Sequence, residues 1–280
     1  HVQNVGERSN TTLDILSVVL LAAGITAFVY SVGEFSTNLI AGIVTLFAAI
    51  VLLGLFAARQ LKLEHPVLNV RPMASVRFWP ACLLVVVSMM TTFSMSVLLS
   101  LYFEGAYGMT ALVAGLLILP AIACNAVTSI VGGRVMDARG AWPLLPVGFA
   151  LIAVGQTAIS MTAASMNIGV VVALTVVVYA GVGLVLSPSQ TAGLETLPAA
   201  EHPHGTALLN TWNMIAASFG PSLFIGLLSS SAATAGAAGV VTDVAQAIGF
   251  AAAVRVAAVI AVVGFATSLV YARRESHMSH

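Results

Sequence analysis

The chain has 280 residues, ten basic and ten acidic, so its formal net charge is zero. Only 7% of the residues are charged while 59% are apolar, and mean hydropathy is +1.04. That balance leaves no basic field for nucleic acid. Two cysteines, Cys82 and Cys124, both inside apolar runs, are too few for a disulfide framework or a cysteine metal site and read as small buried hydrophobes.

The apolar residues gather into runs of about 20, the length of helix that crosses roughly 30 Å of hydrocarbon. In that slab every backbone polar group must be satisfied within its own segment, so such runs form helices. In chain order they fall at 14–33, 39–58, 78–103, 110–132, 143–163, 168–190, 205–230 and 248–272, here spans 1 to 8. The fold class is therefore an all-α, multi-pass membrane protein with lipids as its solvent. The chain opens in a polar stretch without a signal peptide, at His1 rather than Met, and is expected to start inside a longer protein.

The connections set the orientation. Arg8, Arg59, Lys62, Arg71, Arg77, Arg134, Arg139, Arg273 and Arg274 all lie on one side if the N-terminus is cytoplasmic, and the tenth basic residue, Arg255, is inside span 8. The opposite connections carry only Glu34, Glu104 and Asp243. By the positive-inside rule both chain ends are cytoplasmic in a cell-membrane protein. The connection 59–77 alternates basic and apolar residues around Pro66 and Pro72, and reads as a segment along the cytoplasmic interface. It separates residues 1–58, with two spans, from residues 78–280, with six.

After span 4 comes Gly133-Arg134-Val135-Met136-Asp137-Ala138-Arg139-Gly140, read as a loop. It resembles the G-x-L-x-D-R-x-G-R-R motif of the major facilitator superfamily, with Val135 for the leucine, Ala138 for the arginine and Ala141-Trp142 for the trailing basic pair. Gly133 is expected to admit close approach of another helix, Gly140 to form the tight turn, and Asp137 to accept hydrogen bonds from a helix N-terminus or pair with an arginine. A solvated turn capped by Asp-x-x-Gly is the plain alternative. The stretches 101–148 and 181–224 resemble the helix 7–9 and 10–11 regions of the fourteen-span drug:proton antiporters of that superfamily, and 65–79 resembles the segment before them. The resemblance implies that spans 3–8 form the superfamily's C-terminal six-helix bundle and that spans 1 and 2 are the two extra linking helices of that branch. It further implies a missing N-terminal six-helix half as partner. The function implied is multidrug efflux: proton-coupled export of lipophilic or cationic small-molecule substrates by alternating access, with protons as the counter-substrate and no cofactor.

Charges within spans are costly and mark functional candidates. Glu104, at the outer end of span 3, is a candidate proton or cation site, with an interfacial acid in water as the alternative. Arg255 either pairs inside the bundle or snorkels to the outer headgroups. Asn125, Gln190, Asn210, Trp212 and Asn213 are candidate cavity residues, with plain interhelical hydrogen bonding as the alternative. Pro120, Pro188 and Pro221 are expected kinks, of the kind that suits helices which rock. His202 and His204 flank Pro203 without further ligands, so no metal site is expected. The chain lacks HExxH, Walker and G-x-S-x-G motifs, so it is not read as an enzyme. A non-transporting scaffold or sensor, an importer and a lipid-precursor exporter remain competing readings.

Overall fold

The computed structural model describes residues 14–34, 39–63 and 71–276. These contain eight α-helices: α1 (Ile15–Glu34), α2 (Leu39–Lys62), α3 (Phe78–Tyr107), α4 (Ala111–Arg139), α5 (Leu144–Thr162), α6 (Ile168–Glu195), α7 (His202–Ala237) and α8 (Thr242–Ser276). Seven are long and apolar enough to cross a membrane, and α1 adds a shorter apolar run, Ile15–Ser31. The all-helical class holds. Residues 64–70 of the interfacial connection lie outside the described residues; after them Arg71–Ala74 forms a 3-10 turn.

Local chemistry sets the helix ends. Thr110 and Asn167 cap α4 and α6, their side-chain oxygens accepting from the backbone N–H of Val113 and Val170. Gly108 ends α3 in the left-handed conformation that an L side chain resists. Most helices outrun the apolar stretches. The 29 residues of α4 make a rod of about 44 Å, longer than the hydrocarbon it crosses, so its last turns stand in the interface. Those turns hold Arg134 to Arg139, the segment read from sequence as a loop. Val135, Met136 and Ala138 keep it helical, and only Gly140 leaves the helix.

The chain divides into two compact units, residues 1–71 and 72–280. In the first, α1 and α2 pack antiparallel. A Cβ on Gly24 would lie 2.7 Å from Leu53 Cδ2, which is how close the two backbones come. At the α1 start, Asp14 accepts from Arg59 Nε at 2.8 Å and Nη2 at 3.1 Å. Ser17 donates to the same carboxylate at 2.6 Å and accepts from Gln60 Nε2 at 2.6 Å. The Arg59 guanidinium, and then the Ser17 hydroxyl, hold the Asp14 carboxyl well below the usual carboxylate range. The Asp14–Arg59 pair thus ties the start of α1 to the end of α2.

In the second unit α6 packs between α4 and α5, while α3 packs on α6, α7 and α8, and α5 also meets α8. Exchanging α3, α4, α5 for α6, α7, α8 maps α4–α6 onto α7–α3 and α5–α6 onto α8–α3, the pairing pattern of two three-helix repeats. The pattern has one break: α7 runs along α8, whereas α4 barely touches α5. Lipid offers no hydrophobic drive between helices, so close contact between small residues matters most. The buried face of α8 accordingly includes Ala247, Ala253, Ala257 and Ala261. Large side chains fill what is left. Tyr102 stacks on Phe250 with ring centroids 4.3 Å apart and donates to the Ala163 carbonyl at 2.8 Å. Near the opposite end Tyr271 donates to the Ala192 carbonyl at 2.9 Å, tying α8 to α6. α4 and α7 are the least enclosed helices of the six, and their exposed faces are largely apolar, as at Leu112, Leu116, Leu119, Val127, Ile130 and Met214.

Candidate functional site

Polar groups of three helices in the bundle meet at one tyrosine. Tyr179 lies mid-α6 in the apolar run VVVYAGVG, with its ring buried. Its Oη donates to the Thr92 carbonyl of α3 at 3.2 Å and sits 2.6 Å from Ser96 Oγ, one turn further along α3. Its own backbone carbonyl accepts from Asn125 Nδ2 of α4 at 3.1 Å. One residue thus joins three helices, and a tyrosine hydroxyl brought this deep needs such partners. Thr92 Oγ1 donates to the Ser88 carbonyl at 2.8 Å.

Glycine spacing lets α6 make this junction. Gly183 lies against α4, where a Cβ would collide with Thr128 Oγ1 and come within 2.6 Å of the Asn125 carbonyl. Gly181 lies against α5, where a Cβ would stand 2.5 Å from the Gly148 carbonyl. Their roles as close-packing positions follow directly from these distances. Pro120, Pro188 and Pro221 all lie within continuous helices.

The other candidates are scattered around this centre. Asn213 is 7% exposed, and its Oδ1 finds no hydrogen-bond partner among the described residues; the same holds for Ser94 Oγ, Ser189 Oγ and both amide atoms of Gln156. Gln190 is half-buried and Asn210 is exposed on the first turns of α7. Trp212 is engaged elsewhere, its Nε1 donating to Met73 Sδ at 3.4 Å, with Cys82 Sγ 3.8 Å from the same sulfur. His202 opens α7 rather than standing in a loop, with Nε2 3.1 Å from the Leu197 carbonyl.

The motif after span 4 takes a different form from the one expected. Gly133 has nothing within 4 Å of a Cβ built on it, so among the described residues it has no close neighbour; its predecessor Gly132 does, 3.3 Å from the Gly183 carbonyl. The hundred-degree turn between adjacent helical residues explains the exchange, since only one of the two can face α6. Gly140 does carry the positive φ, +73°, at the helix end. Arg134, Asp137 and Arg139 are exposed, and Asp137 makes no hydrogen bond or ion pair among the described residues. Glu104 is likewise exposed, in the last turn of α3, and accepts from Ser100 Oγ at 2.8 Å. Arg255 is exposed on α8 and pairs with no acid among the described residues.

Sequence reasoning reached Asn125 but missed its acceptor Tyr179 and the α3 hydroxyls. A lone tyrosine in mid-span before a G-x-G was the available signal. Among the described residues, no group of three or more histidine, cysteine or acidic residues could hold a metal.

Comparisons with known proteins bear on this arrangement. The family model for the Major Facilitator Superfamily matches residues 13–221. The lincomycin resistance protein LmrB of Listeria monocytogenes is 30% identical over 232 residues, 82% of this chain and 49% of the relative. LmrB of Bacillus subtilis is 29% identical over 238 residues, and the MFS-type transporter YcnB of the same organism is 32% identical over 272 residues, 95% of this chain and 57% of YcnB. The chain thus spans about half the length of the curated relatives it matches. With a family model covering most of its length and all eight helices in the expected order, the chain belongs to the major facilitator superfamily.

Proposed function

We propose that this chain is the C-terminal half of a fourteen-span exporter that exchanges lipophilic or cationic compounds for protons. The observation that carries the reading is the polar junction of Tyr179, Ser96, Thr92 and Asn125, which joins three helices in the middle of a largely apolar bundle. Polar groups at that depth are costly, and a scaffold has no need of them. α3, α4, α6 and α7 form the wall that meets the six other helices, and α4 and α7 carry the largest lipid-like faces awaiting a neighbour. The resistance named for the LmrB relatives supports export of a drug-like compound.

In this reading Asn125 and Asn213 line the path, with Gln190 and Asn210 nearer the cytoplasmic side. Pro120, Pro188 and Pro221 weaken the helices that rock, and the turns from Gly133 to Gly140 close against the other half in one access state, with Arg134, Asp137 and Arg139 supplying the charge. Glu104 stands at the outer rim.

The test is transport by the full-length protein that carries this chain, in inverted vesicles from cells stripped of their own exporters. Lincomycin added to energised vesicles is expected to discharge the proton gradient and to accumulate inside. Accumulation without proton release would leave an exporter but remove the exchange. Neither effect, with lincomycin and with a panel of lipophilic compounds, would favour a scaffold or sensor.

A further inference from the structure

Resting on that reading, we infer that this half of the site recognises an uncharged ligand through its hydroxyl or amide N–H donors, and offers nothing to a permanent cation.

The first observation is where the acids are. In α3 to α8 the acidic residues are Glu104, Asp137, Glu195, Asp243 and Glu275, each within a turn of a helix end; α5 and α7 contain none. The one charge in a span interior is positive, that of Arg255, and it is exposed. A bulky organic cation drawn into a low-dielectric wall calls for a counter-charge, because a few scattered neutral dipoles do not repay its desolvation. The bundle interior supplies no such counter-charge.

The second observation is the hydrogen accounting at the junction. Tyr179 gives its hydroxyl hydrogen to the Thr92 carbonyl, so at 2.6 Å it is Ser96 that donates to Tyr179 Oη. Thr92 gives its own hydrogen to the Ser88 carbonyl. One Asn125 N–H goes to the Tyr179 carbonyl. The hydroxyl hydrogens of Thr92 and Ser96 are therefore spent inside the protein. What is left for a ligand is three acceptors, Thr92 Oγ1, Ser96 Oγ and Asn125 Oδ1, against one donor, the second Asn125 N–H, all on half-buried residues. Thr92 and Ser96 stand one turn apart on one face of α3, and Asn125 meets the other end of the same tyrosine. An uncharged patch of acceptors selects ligands that bring donors. It gives no grip to a cation whose charge is screened by aryl groups and which has no N–H.

The experiment uses the full-length protein in cells lacking other exporters and follows the exclusion of two labelled probes. Chloramphenicol is uncharged and brings two hydroxyls and an amide N–H; tetraphenylphosphonium is a permanent cation with no donor. Native protein is expected to exclude chloramphenicol and to act only weakly on tetraphenylphosphonium. Asn125→Leu and Ser96→Ala are expected to lower chloramphenicol export about five- to tenfold, the scale of one lost hydrogen bond, at unchanged membrane abundance. Asn125→Asp, nearly the same shape with a carboxylate, is expected to raise tetraphenylphosphonium export several-fold. Native export of both probes alike, or Asn125→Asp leaving their ratio unchanged, would overturn the inference while leaving the transport reading in place. Export of neither probe would overturn the inference, and the lincomycin assay above then decides whether the transport reading falls with it.

Discussion

Gly183 of α6 lies so close to Thr128 of α4 that a Cβ on the glycine would overlap the threonine hydroxyl, and the Asn125 carbonyl would be only 2.6 Å away. This contact sets how near α4 comes to α6, and so whether Asn125 reaches the Tyr179 carbonyl at all. Gly183→Val is expected to push the helices apart and cost at least the ~1–3 kcal/mol typical of overpacking. Gly133→Ala, where a Cβ meets open space, is the control and is expected to be silent. Thermal melting of the two variants in detergent checks the pair; equal midpoints would refute the packing argument.

Removing Asp14 should loosen the α1–α2 pair at its Asp14 end. The Asp14 carboxyl is held below its ordinary range by Arg59 and Ser17, so its stabilisation is present above the ordinary carboxylate pKa and is lost only as pH falls through the depressed folded value. Acidification to about pH 5 is therefore expected to leave the pair intact, while Asp14→Asn weakens it already at neutral pH. Thermal melting in detergent at each pH reads this out, and a native chain destabilised by pH 5 to the level of Asp14→Asn would contradict it.

Asp137→Ala is expected to lower transport severalfold with insertion and abundance unchanged. The carboxylate stands exposed in the last turn of α4 and makes no hydrogen bond or ion pair among the described residues, so its loss should cost this bundle little. Transport at the native rate would reduce the motif to an interfacial helix end.

The charge distribution predicts sidedness. Cysteines introduced at Ser165 or Ala238 should react with an impermeant thiol reagent added outside intact cells, and cysteines at Arg71 or Ala199 should not. Ser165 and Ala238 are exposed between helices, which makes the labelling readable. The opposite pattern would invert every helix direction used above.

How many helices there are, where each lies along the chain and which superfamily they build could be read from the sequence alone, because those depend on hydropathy against a slab of fixed thickness and on a short motif. Asn125 was legible for the same reason: a polar side chain in mid-span stands out from its neighbours. Only the tertiary structure decided which glycine of the 132–133 pair meets α6, that Asp14 belongs to Arg59, that Trp212 turns to Met73, and that Tyr179 binds three helices together. In water an amphipathic stripe would have announced the buried faces. In lipid both faces of a helix are apolar, so the pattern that tells inside from outside is erased, and close contact between backbones has to choose. The helix ends were hidden for a related reason. Hydropathy stops at the hydrocarbon edge, while residues such as Val135, Met136 and Ala138 go on satisfying their own backbone as helix until Gly140 breaks it.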